Sequence, residues 1–329
     1  MGTILHKNIR VKRDFQYNYL YLTARERYPT LLFLHGFPSS SYDWHLQIDF
    51  MRAEGYGIIA PDLLGSGKTS RPLEPDAFRL NLVAADIVEI LDNEKVDTVV
   101  GVGHDWGCVV LSRLSMLYAS RFLAFAWIGL SYMEPITIPF DLDAAMASTK
   151  ELLGYEGYAY WQFFIKEDAA DAIEKNVDSF LQLLYPKDPV SWLTYIALPG
   201  KTAEWIDGNL MPGFASYLSA EDIKHLRENV LNGGIKSALN WYISQVRNID
   251  LQDNLSIPED RWVIHQPSFF AVALRDCICT PERGKASMEA YATDVTLVEF
   301  DTGHWPQLES PAELNAELLA WLRSLNLHQ

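Results

Sequence analysis

Residues 98–107 read Thr-Val-Val-Gly-Val-Gly-His-Asp-Trp-Gly, and the run from Cys108 to Tyr118 that follows has helical character. An apolar β-type stretch therefore feeds into a helix through a turn at which one carboxylate, Asp105, is flanked by small residues. This is the layout of a nucleophile elbow, G-x-Nu-x-G, where a sharp strand-to-helix turn lifts one side chain out of the sheet. Only small residues fit where the two backbones approach so closely, and Gly103 and Gly107 meet that need. A carboxylate at the tip attacks carbon and leaves an ester. The competing reading is a helix N-cap, a common place for Asp. From this stretch alone the two are equally supported.

Outward from the elbow, strands and helices alternate. Thr30–His35 and Gly57–Pro61 read as buried strands, Tyr42–Glu54 and Leu80–Asn93 as helices, Asp97–Val102 as the strand entering the elbow, and Phe122–Leu130 as a fourth strand. Such alternation predicts a mostly parallel sheet covered on both faces. From about Met133 to Asn248 the chain turns rich in aromatics, Pro and Gly, with helical runs such as Leu226–Leu231 and Ile235–Val246 and no clear buried strand. The alternating pattern returns with Ser268–Leu274, Val295–Phe300 and a last helix, Pro311–Leu325. The expected architecture is an α/β core, residues 1–132 and 249–329, interrupted by a helical cap, residues 133–248.

Candidate site residues sit directly after buried strands. His35-Gly-Phe-Pro38 follows the first, and its turn can aim the Phe37 N–H at the elbow. Together with the N–H of Trp106 this forms an oxyanion hole. Pro38 restricts Phe37 to an extended backbone, and a cis bond there is compatible. His304, in Asp301-Thr-Gly-His304-Trp-Pro306, is the best-placed base among eight histidines. Asp276, just past the strand before it, is the acid to orient the imidazole. The chain order is nucleophile, acid, base. His35 and His104 are assigned structural hydrogen-bonding roles, and His45, His225 and His265 surface or core positions.

Two motifs are decoys. Gly65-Ser-Gly67-Lys68-Thr69 resembles the end of a phosphate-binding loop, but Asp62 stands where an earlier Gly belongs and Pro72 breaks the helix that should follow. Gly101-Val-Gly103 hints at a dinucleotide loop, but Trp106 occupies the third small position. His and Cys spacing gives no metal site, and no cofactor is implied.

Composition sets outer bounds. The chain has 329 residues, 49% of them apolar, enough for a deep core. A formal net charge of −16 argues against nucleic acid or an anionic membrane surface as partner. No run is long enough for a membrane-spanning helix. Residues Met1 to Arg13 are too polar for a signal peptide, and His6 fails the myristoylation pattern. Three cysteines, with Cys277 and Cys279 too close for an ordinary disulfide, suit a reduced cytoplasmic protein.

On these residues the chain resembles the soluble epoxide hydrolases of the α/β-hydrolase superfamily, over essentially its whole length. The resemblance rests on His35-Gly-Phe-Pro38, Asp62-Leu-Leu-Gly-Ser-Gly67, Gly103-His-Asp-Trp-Gly107, Asn240-Trp-Tyr242 and Gly303-His-Trp305. Asn-Trp-Tyr is the most specific of them, because that family carries one of two epoxide-binding tyrosines there. The resemblance implies Tyr242 in that role. It implies Tyr160, in Tyr160-Trp-Gln-Phe-Phe164, as the second, with Tyr158 as the alternative register. It further implies Asp105 as nucleophile, His304 as base, Asp276 as acid, and Phe37, Trp106, Trp161 and Phe164 lining an apolar pocket for a small apolar epoxide. Asp276-Cys-Ile-Cys279 is a local departure compatible with the pattern. A homodimer is left open.

Two rivals stand beside this reading. A haloalkane or haloacid dehalogenase shares the Asp nucleophile, but many of those enzymes place Asn at Phe37, and the fluoroacetate type carries Arg at Trp106. A hydrolase-fold binding protein without catalysis should show a broken triad, and here all members are present. An esterase would need serine at Asp105.

Overall fold

In the computed structural model, residues 2–327 are described; Met1, at the head of the polar N-terminal stretch, and His328 and Gln329, at the end of the last core segment, lie outside them. The strands are β1 Leu5–Arg10, β2 Gln16–Leu22, β3 Thr30–Leu34, β4 Gly57–Pro61, β5 Val99–His104, β6 Phe122–Ile128, β7 Ser268–Ala273 and β8 Val295–Phe300. They form one sheet in the order β1-β2-β4-β3-β5-β6-β7-β8. The β1–β2 and β2–β4 pairs are antiparallel, and every pair from β4 through β8 is parallel. The mostly parallel α/β core read from the sequence is therefore the fold.

The central strands β3, β4 and β5 are buried along their whole length, so they read as unbroken apolar runs. Alternate side chains enter two cores. Leu31, Phe33, Val100 and Val102 pack with Ile48 and Met51 of helix His45–Glu54 and with Leu314 and Leu318 of helix Pro311–Ser324. Leu32 and Leu34 face the other way, among residues of helices Leu80–Asn93 and Trp106–Leu117.

Several boundaries differ from the sequence expectation, each for a local reason. The β1–β2 hairpin was not foreseen. Its outer strand, Leu-His-Lys-Asn-Ile-Arg, is a partly exposed edge and carries no buried apolar run. Helix His45–Glu54 is preceded by a 3-10 turn, Ser41–Trp44, capped by the Ser40 hydroxyl, so Tyr42 lies outside the helix. The strand entering the elbow runs to His104 rather than stopping at Val102. Residues 235–239 form turns, and the regular helix there is Asn240–Val246. Helix Pro281–Tyr291, opened by Pro281 in its first turn, was also missed.

Between β6 and β7 the chain leaves the sheet. Short helices fill this excursion, from Leu142–Leu153 to Leu251–Ser256, and an isolated bridge joins Pro186 to Phe214 within it. Polar contacts tie it to the core loops. Asn229 accepts from the Gly67 N–H at 2.7 Å and donates to Ser39 O at 2.9 Å. Arg71 donates to Gly234 O at 2.6 Å and Gly65 O at 2.9 Å. The Asp62–Gly67 motif is thus a docking loop: Asp62 accepts from the N–H groups of Ser41 and Lys68, both at 2.9 Å. Among the described residues no helix is long and apolar enough to cross a membrane.

Candidate active site

Asp105 stands between β5 and helix Trp106–Leu117 with φ +51° and ψ −123°. A positive φ is unfavourable for a side-chain-bearing residue, costing on the order of 1–3 kcal/mol, and persists only where the surroundings enforce it. The enforcement comes from close packing. A Cβ on Gly107 would stand 2.1 Å from Leu34 O, so only glycine lets the helix start against β3. A Cβ on Gly36 would stand 2.4 Å from the Cβ of Asp105. The N-cap reading fails: the Asp105 side chain makes no cap hydrogen bond to its helix.

That side chain points instead at the catalytic candidates. Asp105 Oδ1 accepts from the Phe37 N–H at 2.8 Å. Its Oδ2 lies 3.7 Å from His304 Nε2. The Phe37–Pro38 peptide is cis. Trp106 opens the helix, where the first N–H groups have no intrahelical partner. His304 Nδ1 donates to Asp276 Oδ2 at 2.6 Å, and Asp276 Oδ1 accepts from the N–H groups of Ile278 and Cys279 at 2.8 and 2.9 Å. Asp105, His304 and Asp276 therefore form one line, carboxylate to imidazole to buried carboxylate. It is assembled from the ends of β5, β8 and β7, where ligands collect in open α/β sheets.

Electrostatics follow from that line. Burial pushes the His304 pKa down, but the Asp276 charge, the hydrogen bond to Asp276 and the nearby Asp105 carboxylate outweigh it and hold the imidazole well above its ordinary value. Burial pushes Asp105 and Asp276 up, yet the nearby His304, hydrogen-bonded to Asp276, and backbone N–H donors hold both carboxyls below the usual range. The resting site is a carboxylate–imidazolium–carboxylate array. His104 beneath it stays neutral, pushed down to about 3 by burial, and its Nε2 donates to His304 O at 2.8 Å. His35 is likewise structural: Nε2 accepts from Leu63 N–H at 2.8 Å and Nδ1 donates to Gly36 O at 2.7 Å.

An aromatic roof closes over Asp105. The Tyr242 ring lies 5.1 Å from Phe37, 5.3 Å from Trp106, 5.2 Å from Trp161, 4.9 Å from Phe164 and 6.0 Å from Tyr160. Asn240 and Trp241 fix this helix by donating to Leu73 O and Leu64 O, both at 3.2 Å. The Tyr158 hydroxyl is engaged elsewhere, accepting from Arg283 Nη1 at 2.8 Å. Of the two registers, Tyr160 therefore meets Tyr242 and Tyr158 does not. Burial holds the phenols of Tyr160 and Tyr242 well above their ordinary pKa, so both stay protonated and can donate.

A cleft of about 170 Å³ at His304 is lined by Trp192, Tyr217, Arg275, Asp276, His304 and Trp305 among others, and Asp105 is not among its lining residues. Trp192, from the helical excursion, packs on the His304 ring at 5.4 Å. Behind the Phe37 turn, Ser39 donates to Asp43 Oδ2 at 2.5 Å and meets the Tyr185 hydroxyl at 3.2 Å. Burial, with the charges of Asp222 and Asp105, raises Asp43 to about 7 despite the Ser39 bond. Because folding favours the protonated carboxyl, its contribution to stability is full below the unfolded value of 3.8 and is lost as pH rises toward 7. Asp43→Asn is therefore expected to raise Tm, by more at pH 8 than at pH 5. An equal shift at both, read by thermal unfolding, removes the carboxyl's charge as the cause.

A family model described as alpha/beta hydrolase fold matches residues 29–311. The chain belongs to the α/β-hydrolase fold family. Within this hydrolase family it is 30% identical to Epoxide hydrolase A of Mycobacterium tuberculosis, over 91% of this chain and 92% of that protein. It is 27% identical to mouse Bifunctional epoxide hydrolase 2 over 90% of this chain and 52% of that protein, so it spans about half the mouse protein's length. The crystal structure of Epoxide Hydrolase A from Mycobacterium thermoresistibile superposes with a TM-score of 0.78 at 26% identity, covering 98% of both chains.

Sequence reasoning missed several residues at this hydrolase site. Trp192, Asn229 and Asp43 arrive through tertiary packing and carry no local motif. Cys279 is another: the donor atoms of Asp276, Cys279 and His304 all lie within 4.8 Å of one another, a grouping that linear spacing hides.

Proposed function

We propose that the protein is an epoxide hydrolase that converts a small apolar epoxide to a vicinal diol through a covalent ester on Asp105. The observation that carries this reading is the placement of the Asp105 carboxylate 3.7 Å from His304 Nε2, beneath the paired rings of Tyr160 and Tyr242. The names of the relatives support it.

The chemistry requires these residue types. An epoxide is strained, but its leaving group is an alkoxide, which needs a proton or hydrogen bond as the ring opens. Asp105 attacks a ring carbon from the backside and forms the C–O bond of the ester. Tyr160 and Tyr242 hold the ring oxygen and supply the proton. Esterification removes the charge on Asp105, one of the groups holding His304 protonated. The imidazolium proton returns to the phenolate left by ring opening. The neutral His304 then takes a proton from the water that attacks the ester carbonyl, while Asp276 fixes the ring and stabilises the imidazolium that re-forms. As the tetrahedral intermediate collapses, the ester C–O bond breaks, the water's second proton goes to the leaving alkoxide, and the diol departs from the regenerated Asp105 carboxylate. The N–H groups of Phe37 and Trp106 bind the tetrahedral oxyanion, each donor lowering the barrier by about 3–4 kcal/mol. The step needs no metal and no cofactor. Phe37, Trp106, Trp161 and Phe164 form the apolar wall against the substrate.

We further read residues 133–248 as a cap that supplies both tyrosines, inserted between the core segments 1–132 and 249–329. Three free cysteines support a cytoplasmic location.

The test is product analysis of the purified protein on a panel of small epoxides and matched haloalkanes. Diol formation is expected, and halide release exceeding it would favour the dehalogenase reading. Tyr160→Phe and Tyr242→Phe should each slow ring opening at least about tenfold, and the double variant by about 10²–10⁴-fold, the usual range for a lost general acid. Unchanged single-turnover ester formation in the double variant would remove the phenols from this role.

A further inference from the structure

Cys279 has no part in the steps above, yet it sits at their centre. The Ile278 and Cys279 N–H groups fold the segment 276–279 into a tight turn over the Asp276 carboxylate. That turn brings the side chain at position 279 back beside His304. The thiol, the imidazole and the Asp276 carboxylate then present three donor atoms, all within 4.8 Å of one another.

We propose that Asp276, Cys279 and His304 form a capture site for a soft divalent cation such as Zn²⁺, and that occupancy shuts the hydrolase down. Thiolate, imidazole and carboxylate are the donors zinc takes in proteins, and three of them with one open position is a common set. Bonds of about 2.0–2.3 Å place neighbouring donors ~3.5 Å apart. The Asp276–His304 contact, now 2.6 Å, would open by about 1 Å, and the widest separation would close by a similar amount. Those are side-chain movements. The thiolate selects a soft ion over Mg²⁺ or Ca²⁺. A cation can arrive through the cleft, because Asp276 and His304 line it. The net charge of −16 favours its approach. Once bound, the ion displaces the protons of the thiol and of His304 Nδ1 and pulls Asp276 off its orienting bond, and the positive charge on the ring lowers the basicity of Nε2, the nitrogen that must take a proton from water.

The inhibition rests on the hydrolase reading, whereas the binding does not, so two measurements are made on the same protein. The first is epoxide turnover with Zn²⁺ added to chelator-treated enzyme, read as the ratio of inhibited to uninhibited rate within each variant. Micromolar Zn²⁺ is expected to inhibit the wild-type chain, EDTA to restore it, and equal Mg²⁺ to do nothing. Cys279→Ser and Cys279→Ala should raise the half-inhibiting concentration at least about 100-fold, and Cys277→Ser should leave it unchanged. The second is the absorption spectrum with Co²⁺, in which a thiolate-to-cobalt band is expected in the wild type and absent from Cys279→Ser. Equal inhibition of the Cys279 variants, or a wild-type spectrum without the thiolate band, overturns the site. A thiolate band in a protein that forms no diol leaves the site standing and removes the hydrolase reading instead.

Discussion

Asp105→Ala is expected to abolish turnover, lowering kcat by at least about 10⁴-fold, the scale of losing a covalent catalytic group. The expectation is severe because nothing nearby can take over. Asp276 is the nearest other carboxylate in the line, but both its oxygens are committed, one to His304 and one to the Ile278 and Cys279 N–H groups. Water in place of Asp105 could accept from the Phe37 N–H that now positions Oδ1 at 2.8 Å, but it is a weaker nucleophile than a carboxylate and forms no ester. The fold should survive. The elbow is enforced by Gly36 and Gly107 packing, and Asp105 contributes no cap to its helix. Stopped-flow or endpoint diol assays, with circular dichroism as a control for folding, check this. Retention of more than a few per cent of wild-type kcat would remove Asp105 from the nucleophile's role.

His304→Gln separates the two half-reactions. Ring opening uses the carboxylate and the phenols, so it should continue. Water activation uses the imidazole, so hydrolysis should fall by about 10²–10⁴-fold, the usual contribution of a general base. The ester then accumulates, and intact-protein mass spectrometry should show a stoichiometric increase equal to the epoxide's mass, mapping to the peptide that contains Asp105. The array also predicts the pH behaviour of the first step in the wild type. Because His304 holds Asp105 below its ordinary range, ester formation should persist as pH falls to about 4, where an unperturbed Asp is already about half protonated. In His304→Gln that support is gone, and the acid limb should move up. Full diol turnover in His304→Gln would assign the base elsewhere.

Much of this arrangement was legible in the chain because parallel strands buried on both faces must be apolar throughout. Thr30–Leu34, Gly57–Pro61 and Ser268–Ala273 announce themselves, and Phe37 and Asp276, just beyond the first and the last, belong to the candidate site. The pair Gly103 and Gly107 marked the elbow because close backbone approach admits nothing larger. What stayed hidden has physical reasons. The β1 strand is an edge whose polar residues meet solvent, so no apolar period reveals it. The helices of the excursion are short and separated by turns, and their boundaries blur. Tyr158 and Tyr160 are two residues apart in a soft register; only the bond from Arg283 to one and the ring of Tyr242 against the other tell them apart. Trp192 on His304 and Cys279 beside it depend on chain segments meeting in space, which spacing along the chain does not encode.

A single turnover in ¹⁸O-water, with enzyme in excess over epoxide, decides whether an ester forms on Asp105. Water attacking the ester carbonyl leaves its oxygen in the Asp105 carboxylate, so the first diol released should carry only unlabelled oxygen and the label should map to the Asp105 peptide. A first-turnover diol that carries the label, with Asp105 unlabelled, would mean that water opens the ring directly and that no covalent intermediate exists.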